Sequence, residues 1–202
     1  MKNLIIFFTL IFFAINTNAQ DSTQVIPKKI YVTKSIGETL PPMVDGLLTD
    51  EAWNLVEWAG DYIEFQPDEN TQPSERTRFK IVYDSKNLYI GVRCYDAEPD
   101  KIVKRLSRRD GFEGDWIEFN IDSYHDKRTS FSFSVTAAGV KGDEFVSNNG
   151  NNWDESWNPI WYTKTNIDEE GWTAELRIPL SQLKFGKGEN QVWGLQSTRR
   201  FF

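Results

Sequence analysis

The chain has 202 residues, of which 39% are hydrophobic and 14% aromatic, and its formal net charge is −7. This acidic balance argues against nucleic acid as a partner, because phosphate contacts require a basic patch. A single cysteine (Cys94) excludes an intrachain disulfide, and with a single histidine (His125) it argues against a zinc site built from these residue types.

The first residues predict a signal peptide. A lysine at position 2 precedes an apolar run of about 12 residues, which is too short to span a bilayer comfortably. Small residues follow at 17–19, so we expect residues 1–19 to be removed and the protein to be exported to the periplasm, outer membrane or cell surface. The polar residues 20–42, which end in two prolines, are interpreted as an N-terminal arm.

Beyond residue 42 the chain carries the period-2 alternation of strands, separated by turn residues. The alternating segments lie at 79–83, 88–94, 115–122, 131–136, 160–165, 172–178 and 193–197. Only two short helices are expected, one at 49–56 with Thr49 as its cap and one turn at 179–183. We therefore predict an all-β fold over residues 43–202, an antiparallel β-sandwich of jelly-roll or immunoglobulin-like form.

The segment 114–122 carries the strongest functional signal. Hydrocarbon side chains on one face of the predicted strand alternate with Trp116, Glu118 and Asn120 on the other. A strand that is merely solvated seldom carries Trp, because the exposed ring leaves a large apolar area in water. A sugar requires an aromatic ring against its C–H faces and polar groups for its hydroxyls, so this pattern indicates carbohydrate binding.

Further side chains extend this candidate site. Phe112, just before the strand, provides a second ring, and Ser134 and Arg93 are candidates for supporting hydrogen bonds. For Arg93 an ion pair across the sheet is an equal alternative. The remaining tryptophans that fall on apolar faces are expected in the core, and these are Trp53, Trp161, Trp172 and Trp193.

Catalysis and haem binding are not expected in this domain. Asp115 and Glu118 are three residues apart and face opposite sides of a strand, whereas glycoside hydrolysis needs two carboxyls about 5 to 10 Å apart around one bond. No serine nucleophile motif is present. Haem would depend on Met43 and His125, and the histidine lies in a polar turn where solvation is the better interpretation.

The segment 142–155 is rich in Asp, Glu and Asn and is expected to form a loop. Calcium takes six to eight oxygen ligands from such residues, but the spacing matches no EF-hand. Ordinary turn chemistry is the preferred interpretation, and a structural calcium ion is the alternative.

Four segments together resemble the family 9 carbohydrate-binding module, a DOMON-like β-sandwich, in the version that begins many exported Bacteroidetes proteins. These segments are 44–53, 83–90, 114–122 and 171–179. The resemblance covers about residues 40 to 200 and implies glycan binding, often of sugar chain ends, within polysaccharide degradation.

The resemblance also implies roles for individual residues. Phe112 corresponds to one half of a sugar-stacking clamp and Glu118 to a glutamate that bonds sugar hydroxyls, while the family's Arg and Asn ligands fall near Ser134 and Thr136. The second clamp aromatic falls beyond Phe202. The predicted carbohydrate-binding residues are therefore Arg93, Phe112, Trp116, Glu118, Ser134 and Thr136.

The resulting prediction is a non-catalytic carbohydrate-binding domain in an exported polysaccharide-degradation or glycan-uptake system. Because the chain stops directly after a strand signal, we expect a longer protein with a β-rich, outer-membrane-associated region, linked to glycosyl-bond hydrolysis. The alternative is a structural or interaction domain that has lost the sugar site and docks onto that downstream region.

Overall fold

The computed structural model describes residues 28–188 and 190–202, and the predicted signal peptide lies outside them. Residues 31–202 form one compact unit. In the described ranges this unit contains ten strands, namely β1 (Lys34–Ser35), β2 (Thr77–Tyr83), β3 (Asn87–Tyr95), β4 (Trp116–Asp122), β5 (Ser130–Thr136), β6 (Lys141–Ser147), β7 (Asn152–Asp154), β8 (Tyr162–Asp168), β9 (Gly171–Pro179) and β10 (Gly194–Arg200).

The strands form two five-stranded sheets that pack face to face. The first sheet has the order β1-β2-β3-β9-β8 and the second has the order β10-β4-β5-β6-β7. Every neighbouring pair is antiparallel except β1 with β2, which is parallel. This arrangement confirms the predicted β-sandwich.

The core lies between the sheets and is built from the alternating apolar positions. Ile117, Phe119 and Ile121 of β4 are buried there, and Phe119 meets Phe79 of the first sheet edge to face, with 5.6 Å between ring centroids. Fully burying such a side chain stabilises the fold by about 1.5 to 3 kcal/mol. Cys94 is also buried in this core, as predicted. The predicted core tryptophans Trp53, Trp161 and Trp172 are buried, and Trp193 is partly buried against the core.

The segment 142–155 corrects the prediction of a loop. Its first half belongs to β6, and after a 3-10 turn at Asn148–Gly150 the chain returns as β7, which pairs with β6. Phe145 anchors the strand by packing on Phe131, with 5.4 Å between centroids. In the described residues, no group of three or more His, Cys, Asp and Glu side chains is placed to hold a metal ion.

The predicted N-terminal arm also needs correction, because its second half is part of the sandwich. Tyr31 packs on Phe79, and its hydroxyl accepts a hydrogen bond from Ile81 N (3.0 Å) and donates one to Glu57 O (3.1 Å). β1 then extends the first sheet and buries Ile36. The folded unit therefore begins at residue 31 instead of residue 43.

The two predicted helices are single 3-10 turns, at Glu51–Leu55 and Leu180–Gln182. The first begins after Asp50 instead of the predicted cap Thr49, and it has no side-chain cap bond. None of the helical turns among the described residues is long or apolar enough to cross a bilayer.

The segment 44–53 is fixed to β9 by one buried carboxylate. Glu175 accepts hydrogen bonds from Trp53 Nε1 (3.0 Å), Gly46 N (2.9 Å) and Asp45 N (3.0 Å). The Trp53 ring lies on Gly91, where an added Cβ would come within 3.1 Å of ring atoms, so the close approach requires glycine. The segment 44–53 therefore covers the outer side of the first sheet.

Candidate functional site

The outward side of β4, β5 and β6 forms a polar face, opposite the core. Strand register aligns Glu118 with Ser134 and Gly142, and Asn120 with Ser132 and Glu144. The polar face consists of Trp116, Glu118, Asn120, Ser132, Ser134, Thr136, Gly142 and Glu144, with Phe112 above it. Alternation along β4 predicted this segregation, because Ile117, Phe119 and Ile121 point the other way.

Glu118 and Asn120 form a pair on this face. Asn120 Nδ2 donates a hydrogen bond to Glu118 Oε1. Asn120 Oδ1 is buried and has no hydrogen-bond partner among the described residues. A buried acceptor without a donor costs about 1 to 3 kcal/mol, so Asn120 Oδ1 keeps unused hydrogen-bonding capacity on this face.

Glu118 itself lies below the outer surface, with 9% of its area exposed. Burial raises the pKa of its carboxyl group, while hydrogen bonds with Asn120 and Ser132 act in the opposite direction. The side chain points away from the core, and only a small part of it is open to a ligand.

Two aromatic rings lie beside Glu118 on the polar face. The Phe112 and Trp116 centroids are 5.5 Å apart and their planes are inclined by 60°. Phe112 lies over Gly142, where an added Cβ would stand 2.8 Å from Phe112 Cζ, so only glycine allows this seat. The preceding loop is held by two hydrogen bonds, Asp110 N to Lys141 O (2.9 Å) and Asp143 N to Asp110 Oδ1 (3.0 Å).

Glu144 is a member of the polar face that the sequence analysis missed. Burial and the neighbouring carboxylates, Glu118 first among them, raise its pKa to about 7. It was assigned to a loop because Asp143, beside it, breaks the apolar alternation of β6. Asp143 faces inward, where Arg109 and Trp161 Nε1 donate hydrogen bonds to its Oδ2. The available signal was the spacing of Glu144, which is two residues after Gly142 and therefore on the same side of the strand.

Arg93 does not lie at this site, which corrects its assignment as a carbohydrate-binding residue. It belongs to β3 in the first sheet, where its two terminal nitrogens donate to the two carboxylate oxygens of Asp168, each at 2.7 Å. This bond raises the pKa of Arg93 and lowers that of Asp168. The alternative interpretation of Arg93, an ion pair across the sheet, is confirmed.

Ser134 and Thr136 lie on the polar face but beneath its surface, with 1% and 2% of their areas exposed. Ser134 Oγ lies next to Gly142, on which Phe112 also packs. Thr136 Oγ1 accepts a hydrogen bond from Val140 N (3.1 Å) in the turn between β5 and β6. Both residues contact their own domain in these positions, and direct sugar contact by either one stays a prediction.

The chain is similar to the carbohydrate binding module family 9 from Caldicellulosiruptor kristjanssonii solved with glucose, at 23% identity over 82% of this chain and 75% of that chain (TM-score 0.57). The same module solved with cellotriose matches at 22% identity over 84% and 76% (TM-score 0.58). A protein from Bacteroides uniformis ATCC 8492 matches at 13% identity over 84% and 83% (TM-score 0.63). These likenesses show the fold.

Among curated proteins no sequence matches the chain significantly. A family model decides the membership, because residues 44–199 match the carbohydrate family 9 binding domain-like model over more than half of the chain. The chain therefore belongs to the carbohydrate family 9 binding domain-like family, and the resemblance seen in the sequence is confirmed.

Proposed function

We propose that this domain binds carbohydrate on the polar face of the second sheet and catalyses no reaction there. One observation carries the proposal: the Phe112 and Trp116 rings border a carboxylate–amide pair whose Asn120 Oδ1 has no partner in the described residues. Family membership and the two similar modules solved with glucose and cellotriose support it.

The proposed mechanism combines stacking with hydrogen bonding. The rings of Phe112 and Trp116 meet the C–H side of a sugar, and its hydroxyls donate to Glu118 and to Asn120 Oδ1. Since Glu118 is 9% exposed, few hydroxyls reach it at once. A sugar at a chain end fits this small exposed area better than the middle of a long polymer.

Hydrolysis is not part of the proposal. Glu118 and Glu144 are the two carboxyls of the polar face, but they lie two strands apart on the same side of one sheet. A glycosidase places its carboxyls on either side of the scissile bond, which a flat strand surface does not do.

The biological setting extends the same proposal. The sequence pattern at 1–19 supports export to the periplasm, outer membrane or cell surface, where the domain serves polysaccharide degradation or glycan uptake. N-terminal sequencing of the mature protein, with cell fractionation, tests this: we expect the chain to begin at Gln20. A mature chain that retains residues 1–19 would contradict it.

A second candidate function is a structural or interaction domain without a sugar site. The deep burial of Ser134 and Thr136, together with the small exposed area of Glu118, favours this alternative. The two functions differ in one measurable property, since only the first retains glycans.

The deciding experiment is affinity electrophoresis in polysaccharide-containing gels, with calorimetric titration of glucose and cellotriose. We expect the natural chain to be retarded and Glu118→Ala to lose retention with unchanged circular dichroism. Glu169→Ala is the matched control, because this exposed glutamate lies in the turn between β8 and β9 of the other sheet. Unchanged retention of a folded Glu118→Ala chain defeats the site assignment, and no retention of the natural chain favours the alternative.

A further inference from the structure

An opening lies at the edge of the sandwich, away from the polar face. It has a volume of about 410 Å³ and is lined from both sheets, by Tyr162, Thr163 and Lys164 of β8, Arg177 of β9 and Lys141 of β6. We call it the edge cleft. Small-ligand sites have volumes of about 300 to 1,000 Å³, so the edge cleft accommodates about one or two sugar rings.

The edge cleft is positively charged although the chain is acidic overall. It is lined by three cations, Lys141, Lys164 and Arg177, and by no carboxylate. In the described part of the chain neither Lys164 nor Arg177 forms an ion pair with a carboxylate. These two charges are therefore available to an anionic ligand.

Two carboxylates on the strands that line the edge cleft are hydrogen-bonded elsewhere. Asp143, next along β6 from Lys141, accepts from Arg109 and Trp161, and Glu175, in register with Lys164, accepts from Trp53 and two backbone amides. In the described residues neither forms an ion pair with Lys141, Lys164 or Arg177.

The aromatic and hydroxyl groups of the edge cleft match a sugar. The Arg177 guanidinium lies 4.3 Å from the Tyr162 ring centroid, and 47% of Tyr162 remains exposed. Arginine binds carboxylates through two parallel hydrogen bonds, and an exposed ring stacks on the C–H side of a sugar. Thr163 Oγ1 is buried without a partner among the described residues, so the wall retains hydrogen-bonding capacity.

Protection of the sheet edge is a simpler explanation for Lys164, since lysines on edge strands discourage pairing with other chains. It does not account for Arg177, which lies on the inner neighbour β9, or for Lys141, which comes from the other sheet. Cations from three strands line one opening, and edge protection explains only Lys164 of the edge strand β8.

We infer that the edge cleft is a second binding site, selective for a carboxylate-bearing saccharide such as a uronic acid unit, with Arg177 and Lys164 facing the carboxylate and Tyr162 facing the ring. The inference rests on the proposed function, in that it takes the ligand to be a sugar. It adds an acidic-sugar site distinct from the polar face, whose own carboxyls disfavour anions.

The test titrates the full chain with trigalacturonate, with cellotriose as a neutral ligand and inorganic sulfate as a simple anion. We expect trigalacturonate affinity to fall about tenfold in Arg177→Gln and several-fold in Lys164→Gln, because hydrogen bonds to charged groups contribute on this scale. Lys184→Gln is the matched control, since Lys184 lies beside Ser123 at the opposite end of β5 from the edge cleft.

The outcomes separate the two sites. Absence of trigalacturonate binding, equal affinity in Arg177→Gln and Lys164→Gln, or full competition by equimolar sulfate overturns the inference. Loss of cellotriose binding in Glu118→Ala with trigalacturonate binding intact supports both sites. A chain that binds trigalacturonate but not cellotriose keeps the edge cleft and overturns the proposed function of the polar face. Lys164 is exposed and unpaired in the described residues, so Lys164→Gln is a test that does not depend on folding.

Discussion

Two glutamates, one on the outer side of each sheet, differ in how fully their own domain supplies them with hydrogen-bond donors. Glu175 of β9 is 1% exposed and accepts three N–H hydrogen bonds, from Trp53, Gly46 and Asp45. Glu118 of β4 is bonded by neighbouring side chains of its own sheet and sits beside an acceptor that has no donor. The first carboxylate is saturated by its own domain, and the second leaves capacity for a ligand.

The difference follows from which segment covers each strand. The segment 44–53 lies over β9 and brings N–H donors, whereas the loop over β4 brings the Phe112 ring and no donor to Glu118. A buried carboxylate is stable only where donors replace water, so the two sites have opposite requirements. Loss of the Glu175 carboxylate should therefore reduce mainly stability, and loss of the Glu118 carboxylate should reduce mainly binding.

The largest expected effect is on stability, in Glu175→Ala. The change leaves three N–H donors without an acceptor, two of them buried, and each buried donor costs about 1 to 3 kcal/mol, so the free energy of unfolding should fall by about 3 kcal/mol. Glu118→Ala should lower it by less, about 1 to 2 kcal/mol, since only two side-chain donors lose an acceptor, the Asn120 amide and the Ser132 hydroxyl. Urea unfolding at neutral pH measures both, and equal losses in the two variants would contradict the comparison.

A smaller effect should appear as a pH dependence of stability. Burial, with neighbouring carboxylates for Glu144, raises the pKa of Glu175 and of Glu144 to about 7, from 4.5. Because the folded pKa exceeds the unfolded one, the stabilisation is complete below about pH 4.5 and is lost as pH rises through about 7. The contribution of Glu175 is at most about 3 kcal/mol.

Urea unfolding at several pH values between about 5 and 8 checks this slope. Glu144→Gln should remove the part that belongs to Glu144 and keep the parts that belong to Glu118 and Glu175. A slope of opposite sign, or one that Glu144→Gln leaves unaltered, would show that the carboxyls of the polar face do not interact as described.

The same contrast explains what the sequence could predict. The two faces of β4 follow from local alternation, so Trp116 and Glu118 were located from neighbours within the strand. β6 was missed because inward-facing Asp143 depends on Arg109 and Trp161, which are 34 and 18 residues away in the chain. Alternation of apolar residues indicates which side chains are buried. It does not indicate that a distant arginine or indole can supply the hydrogen bonds that stabilise a polar group in the core.

Long-range pairing also limited the site assignment. Arg93 shared the residue type of a sugar ligand, and only the fold brings Asp168, 75 residues later, within 2.7 Å of it. The burial of Ser134 depends on the loop that carries Phe112, and pairing of β5 with β6 sets Gly142 beside it. The strand that holds the site was therefore predictable, but its accessible atoms were not.

The smallest expected effect on binding is that of Arg93→Gln, which tests the separation between sheets. The lost bond to Asp168 is partly exposed, so unfolding free energy should fall by about 1 kcal/mol. Asp168→Asn should cost a similar amount, and the double variant should cost less than the sum, because the two residues are directly bonded. Glycan affinity should stay within about twofold in all three, as neither residue contacts the polar face. A loss of affinity near tenfold in folded Arg93→Gln, absent from Asp168→Asn, would assign Arg93 a ligand of its own, because a purely structural pair affects both variants alike.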